Sequence, residues 1–141
     1  MKKIPDRIFR DVDDKDLYDR LKNEKLFKDK NLKEKFIYAL TLGYKNNISV
    51  PIKLKEGLFY TKDLSENDEA LLSALAIYTS EKGIDILIDK AEIYKIAEEY
   101  AHAGIRLLID NIDSTPYGSY EKIVEKELSE IFNDFLTAEN A

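Results

Sequence analysis

The 141-residue chain contains no cysteine, no tryptophan and only one histidine, with three prolines and five glycines. The lack of cysteine excludes disulfides, thiol catalysis and thiolate metal sites, and a single imidazole excludes a zinc site that needs two. No apolar run approaches the roughly 18–20 residues of a membrane-spanning helix, and charged residues occupy the N-terminal segment where a signal peptide is apolar. We therefore expect a soluble protein that stays in the cytoplasm.

What the sequence does contain is typical of one folded unit. Hydrophobic residues make up 44% of the chain and charged residues 35%. A chain of this length buries about 68–70% of the surface that it exposes when unfolded, and the apolar fraction suffices to fill such a core. The sequence predicts a single domain over residues 1–141.

Charge is distributed unevenly along the chain. The net charge of −6 argues against a protein that coats nucleic acid with its whole surface. Residues 1–60 carry a net charge of +5 and residues 61–141 carry −11. Acids are interspersed with the bases of the first half, a pattern typical of a solvated helix face. The alternative is contact with DNA or with an acidic protein, for which the candidate residues are Lys28, Lys30, Lys33 and Lys45.

Apolar periodicity predicts helices over most of the chain. The predicted segments are a short helix at residues 14–23, a second at 32–45, a third around 70–78, a long one from about 90 to 112, and a last one at about 119–137 with an acidic outer face. Ser65 and Asp68 form a capping-box pattern before the third helix. Because that helix is apolar nearly all round its middle, we expect it at the centre of the core.

Extended segments are few. Residues 1–12 are partly alternating and contain Pro5, so they predict an extended arm or an edge strand. Apolar residues alternate over 48–54, and residues 58–61 could pair with them as a small hairpin. The predicted fold is therefore mainly α, a compact bundle of five or six helices with at most a small β-hairpin near residues 48–61.

Reactive groups are too sparse for an evident active site. Glu99 and His102 have the spacing of half a di-iron site, but the second half needs another histidine. His102 is better explained by a surface charge network with Glu98, Glu99 and Arg106, or by a helix interface. No glycine-rich phosphate loop or Gly-x-Ser-x-Gly elbow occurs. A carboxylate-metal nuclease remains open on residue inventory alone, but the acids are not clustered as such a core requires. We predict no catalytic residue, no metal and no cofactor.

Aromatic residues recur at helical spacing, which favours a place in the core over base stacking. This interpretation covers Phe36, Tyr44, Tyr78, Tyr100 and Phe132.

Several short strings occur in a distinctive order between residues 26 and 112. They are Phe27 ahead of an amphipathic helix, the sequence ALTLGYKNN at 39–47, VPI at 50–52, ALLSALA at 70–76 and EEYAHAG at 98–104. This order resembles a family of small proteins encoded beside the Dnd genes for DNA phosphorothioation in bacteria and archaea. The resemblance implies a non-enzymatic accessory protein of a modification or restriction defence system, acting by contact with other proteins or DNA. The helix from Ser119 falls outside the likeness.

An alternative starts from the first 47 residues, where an extended segment and two helices follow the order of a ribbon-helix-helix repressor. In that fold two chains pair their strands and insert the ribbon into the major groove. The DNA contacts would then be Lys2, Lys3, Arg7 and Arg10, although Pro5 lies in the proposed ribbon. Separately, the apolar flank of the last helix is a candidate surface for a homo-oligomer or another partner.

Overall fold

The computed structural model describes residues 3–116 and 119–139. In this part of the chain the α-helices are α1 (Lys15–Arg20), α2 (Leu32–Lys45), α3 (Glu66–Thr79), α4 (Lys90–Asp113) and α5 (Ser119–Glu139), and the strands are β1 (Arg7–Asp11) and β2 (Lys55–Tyr60). Short 3-10 helices cover Val12–Asp14, Leu21–Asn23, Thr61–Asp63 and Gly83–Ile88. The predicted mainly α fold with one small pair of strands is confirmed. None of these described helices is long and apolar enough to cross a membrane.

Side-chain caps fix where the main helices begin. Asn31 accepts from the backbone N–H of Glu34, whose carboxylate accepts in return from Asn31 N–H, which completes a capping box at the start of α2. Ser65 and Asp68 make the same reciprocal pair at the start of α3, so the predicted capping box forms. These local bonds satisfy backbone donors that a helix start leaves unpaired.

The two strands come from distant parts of the chain. β1 pairs antiparallel with β2, with Arg7 opposite Tyr60 and Asp11 opposite Lys55. The predicted pairing of residues 48–54 with residues 58–61 was therefore wrong. Pro51 cannot donate to a strand ladder, and the preceding Val50 N–H donates to the Glu99 carbonyl of α4 at 3.1 Å.

Two helices, α2 and α4, approach each other backbone to backbone. A Cβ placed on Gly104 would lie 1.6 Å from the carbonyl oxygen of Ala39, and one placed on Gly43 would lie 2.2 Å from that of Tyr100. Neither position has room for any larger residue, because the obstructing atoms belong to the backbone. This crossing places His102, two residues before Gly104, deep in the molecule.

The centre of the core is α4 rather than α3. Helix α4 buries residues along its whole length, including Ile93, Ala97, Ile105 and Leu108. Helix α3 buries only Leu72, Leu75 and Ala76 and leaves other apolar side chains exposed. The expectation of a central α3 was wrong, because an apolar residue on every side of a helix does not require a neighbour on every side.

Only some of the five aromatic residues that we expected in the core are buried. Phe36 and Tyr100 are buried, as predicted. Tyr44, Tyr78 and Phe132 are 45%, 81% and 59% exposed, so the core interpretation was wrong for these three. Tyr44 lies at the margin of the core, where its ring meets that of Tyr100 edge-on at 6.0 Å between centroids.

Candidate functional site

The single histidine lies in a buried acidic cluster. His102 of α4 places Nδ1 2.5 Å from Oδ2 of Asp14. Its Nε2 lies 3.9 Å from Oδ2 of Asp11. Asp14 and His102 are only 1% and 6% exposed, so the cluster is an internal interface between α4 and the N-terminal segment. The interface interpretation of His102 fits this position, and the surface charge network does not.

Asp14 is the acid that sequence reasoning missed at this site. It stands at the N-cap of α1, as the sequence allows, but its side chain makes no cap bond and turns towards His102 instead. Arg106 Nη2 lies 3.4 Å from the other oxygen, Oδ1, which accepts no hydrogen bond from the described residues. Burial raises the pKa of Asp14, and the hydrogen bond with His102 opposes that rise. The only sequence signal was the small residues around His102, which permit close packing.

A second buried acid anchors the first strand. Glu98 is 4% exposed, and its Oε2 accepts from the backbone N–H of Phe9 at 2.7 Å. Burial raises the pKa of Glu98 to about 7, against the opposing effects of the Phe9 N–H and of Lys55. Glu98 and His102 therefore both attach the N-terminal segment to α4.

Asp11, the third buried acid of this region, accepts hydrogen bonds from backbone N–H groups. Asp11 accepts from the N–H groups of Asp13 and Lys53, each at 3.0 Å, and the Asp13 N–H is the main cause that lowers the pKa of Asp11. Across the described ranges, no three His, Cys, Asp or Glu side chains are placed to hold a metal ion. The geometry of the cluster joins segments of the fold and presents no reactive group to solvent.

The four candidate lysines do not lie together. Lys28 and Lys30 are exposed on the loop before α2, and Lys30 lies 3.8 Å from Glu34. Lys33 pairs with Asp68 at 2.8 Å. Lys45 is the last residue of α2, roughly 18 Å along the helix axis from Lys33 at 1.5 Å per residue. The structure thus brings three of the lysines to one end of α2, and DNA contact through them stays a prediction.

Two side-chain contacts attach the start of the last helix to the rest of the described chain. The hydroxyls of Tyr38 and Tyr120 lie 3.0 Å apart, and Lys25 Nζ lies 3.4 Å from Oε2 of Glu121. Every residue from 125 to 138 is exposed. This stretch carries five large apolar side chains between 39% and 64% exposed, namely Leu128, Ile131, Phe132, Phe135 and Leu136. We call these five residues the α5 apolar face.

A groove lies beside that face. It is bounded by α5, the second half of α2 and the end of α4, with a volume of about 580 Å³. Its apolar lining comes from α2 and α5: Tyr38, Leu42, Ile123, Val124, Leu128 and Ile131. The α5 apolar face therefore continues into a concave surface, the form that helix-binding sites take.

Exposed apolar residues also occur at the end of α3 and in the 3-10 helix that follows. Tyr78, Ile84 and Ile88 are 81%, 70% and 93% exposed. We call these three residues the α3 apolar set.

The chain matches a family model described as DNA sulphur modification system-associated protein 4 over residues 7–137. The chain belongs to this family. A search of the curated proteins and a search of the solved structures each found no match. The family match includes α5, which the resemblance over residues 26–112 had left out, so the α5 apolar face lies within the region that defines the family.

The arrangement of β1 does not favour the ribbon-helix-helix alternative. One edge of β1 pairs with β2, and on the other side the Phe9 N–H donates to Glu98. The arginines are also engaged within the chain, Arg10 with Glu56 at 2.7 Å and Arg7 with the Tyr60 hydroxyl at 3.0 Å. Lys3 is exposed and Lys2 lies outside the described residues. The strand that an intermolecular ribbon needs is thus used inside the monomer.

Proposed function

We propose that this family member is a non-enzymatic accessory protein of a DNA phosphorothioation-linked modification or restriction system. It acts in the cytoplasm by binding other protein components of that system through the α5 apolar face. The observation that carries the proposal is the run of 14 exposed residues, 125–138, which includes five large apolar side chains.

Physical arguments support a bound partner for this helix. A short helix in water is marginally stable without packing against another element, and contiguous exposed apolar surface marks interaction sites. Burying a large apolar side chain contributes about 1.5–3 kcal/mol. Covering the exposed part of five such side chains therefore offsets part of an association cost of about 4–15 kcal/mol.

The buried cluster supports a non-catalytic role. A general base must reach the proton that it removes, whereas His102 and Asp14 are enclosed by β1, α1 and α4. Their hydrogen bonds join segments of the fold. The proposal therefore assigns the cluster to stability and the α5 apolar face to function.

Co-purification tests the proposal directly. The full chain carrying an affinity tag is expressed in its source cell, and co-purifying components of the modification system are quantified. The α5 variant L128S/F132S/F135S should recover at least tenfold less of them than the wild type. The matched variant Y78S/I84S/I88S removes apolar surface from the α3 apolar set and should recover the wild-type amount. Loss of the components with the second variant and not the first would contradict the proposal.

DNA contact through the basic half is a second, separate proposal. It is supported by the exposure of Lys28 and Lys30 and by the charge of +5 over residues 1–60. Changing Lys28, Lys30, Lys33 and Lys45 to Glu should abolish binding to duplex DNA, and the wild-type affinity should fall steeply with salt. No binding of the wild type at low salt would end this proposal.

A further inference from the structure

We propose that the α5 apolar face and its groove bind a basic amphipathic helix of another protein, with apolar side chains three and four residues apart and Lys or Arg along one edge. The inference rests on the proposed function and adds the chemistry of the partner. It follows from where the charges of α5 lie relative to its apolar side chains.

Acidic residues border one edge of the apolar face. Glu127 and Asp134 are seven residues apart, so they lie together on the edge beside Ile131. Glu125 lies seven residues before Phe132 and is therefore in line with it, at the start of the face. After Lys126 the chain contains no further Lys or Arg. One edge and the start of the apolar face are therefore negatively charged.

These acids are not neutralised within the described chain. Glu121, at the start of α5, pairs with Lys25. Glu125, Glu127, Glu130 and Asp134 are exposed, and none forms an ion pair with a described residue. A partner that supplies cations beside these acids gains attraction, because four acids face one lysine, Lys126, on the exposed stretch.

The lysines of α5 do not offset these acids in a second copy of the chain. Residues 125–138 carry four acids and one lysine, a net charge of −3. Two copies that paired their α5 apolar faces would therefore bring two negatively charged segments together. The same acids repel the phosphates of DNA.

The dimensions of the surface fit one helix. From Ile123 in the groove to Phe135 beyond it, α5 rises roughly 18 Å at 1.5 Å per residue, so a partner helix of about 12 residues would cover it. Lys45 lines the α2 side of the groove. The basic edge of the partner is therefore expected to face Glu127 of α5 rather than α2.

A displayed-helix selection tests the inference. The probe is a library of amphipathic helices with a fixed Leu and Ile stripe, in which the edge positions vary among Lys, Arg, Glu and Gln, selected on the immobilised full chain. We expect Lys and Arg to be enriched at least tenfold over Glu at the edges. A selected peptide should bind about tenfold more weakly to E125Q/E127Q/D134N, and its affinity should fall with salt.

The control variant D29N/E81Q/D85N removes the same number of charges from exposed positions outside α5, and its affinity for the selected peptide should equal that of the wild type. Enrichment of Glu, an absence of charge preference, or equal weakening by the control would overturn the inference. A wild-type dimer seen by analytical ultracentrifugation would also overturn it, if the variant L128S/F132S/F135S dissociates that dimer.

The co-purification test separates the inference from the proposed function. If L128S/F132S/F135S loses the co-purifying components while the library shows no basic preference, the inference fails and the proposed function stands. If it keeps them, the proposed function itself fails.

Discussion

At the scale of single residues, burial decides the chemistry of the acids around α4. Asp14 is enclosed with one oxygen on His102 and the other near Arg106, at 2.5 Å and 3.4 Å. A buried charge whose partner is removed is left uncompensated, which costs about 3–5 kcal/mol. The Asp14–His102 pair should therefore behave as one energetic unit.

A double-mutant cycle measures that coupling. His102→Ala and Asp14→Ala should each lower the free energy of unfolding by about 3 kcal/mol, because each leaves the other group buried without its partner. The double variant should cost much less than the sum of the two single changes. Urea denaturation at pH 7 gives all four values. Simple additivity would show that the two residues act independently.

Glu98 predicts a pH dependence of stability. Its folded pKa of about 7 lies above its ordinary value of 4.5. The folded state therefore holds the Glu98 proton more tightly, and the free energy of unfolding falls as the pH rises from about 4.5 to about 7. Burial raises the pKa of Asp14 too, which acts in the same direction. The pKa of Asp11 is lowered, so its effect on stability lies below this range.

Glu98→Gln tests that dependence, because glutamine retains an oxygen for the Phe9 N–H but carries no charge. The variant should be more stable than the wild type at pH 8, by at most about 3 kcal/mol. The difference should shrink as the pH falls towards 5. Denaturation at pH 5, 6, 7 and 8 checks this. Parallel pH profiles for the two proteins would contradict the assignment to Glu98.

At the scale of elements, the α2–α4 crossing determines the packing of the core. The small residues Ala39, Gly43 and Gly104 allow the two backbones to approach closely. The crossing also positions Glu98 and His102 against β1 and the following turn. A change that separates the two helices should therefore loosen the buried cluster as well.

Gly104→Ala tests the close approach of α2 and α4 most directly. Its new Cβ would meet the backbone oxygen of Ala39, which cannot move without shifting α2, so we expect a loss of about 3 kcal/mol or more. Gly83→Ala is the matched control. Its Cβ would meet no atom within 4 Å, and only its positive φ of 55° opposes the change, at about 1–2 kcal/mol. Equal melting temperatures for the two variants would refute this account of the crossing.

Local sequence patterns predicted where each helix lies better than they predicted which elements pack against it. The spacing of Phe36 and Leu40 and the cap at Asn31 depend on residues close in sequence, and α2 forms as predicted. The pairing of β1 with β2, which places Arg7 opposite Tyr60, 53 residues later, depends on contacts that no local pattern contains. The same applies to the Asp14–His102 bond, which spans 88 residues. The position of α4 at the centre was also unpredictable, since periodicity shows which side is apolar and not how much of it is covered.

At the scale of the whole molecule, charge and apolar surface are separated. The basic residues are concentrated in the first half and the acids in the second, where the α5 apolar face is exposed. The sequence predicted the amphipathic character of α5 and an acidic outer face. It could not predict that residues 125–138 lie free of the core, because an amphipathic helix that packs on the core has the same pattern.

Stability and function should therefore be separable. Substitutions in the α5 apolar face remove side chains that are already exposed, so L128S/F132S/F135S should melt within a few degrees of the wild type. Substitutions in the buried cluster should reduce stability first. Thermal denaturation followed by circular dichroism compares them, and a cooperative unfolding of the core caused by the α5 variant would contradict this separation.

Complementation in a strain that lacks the protein tests the central claim most directly. The strain is supplied with the wild type, with L128S/F132S/F135S or with Y78S/I84S/I88S at equal protein levels, and the phenotype of the modification system is scored. We predict that the wild type and the α3 variant restore it and that the α5 variant does not. Full restoration by the α5 variant would contradict the account, as would a turnover of nucleic acid by the purified protein that a single acidic substitution abolishes.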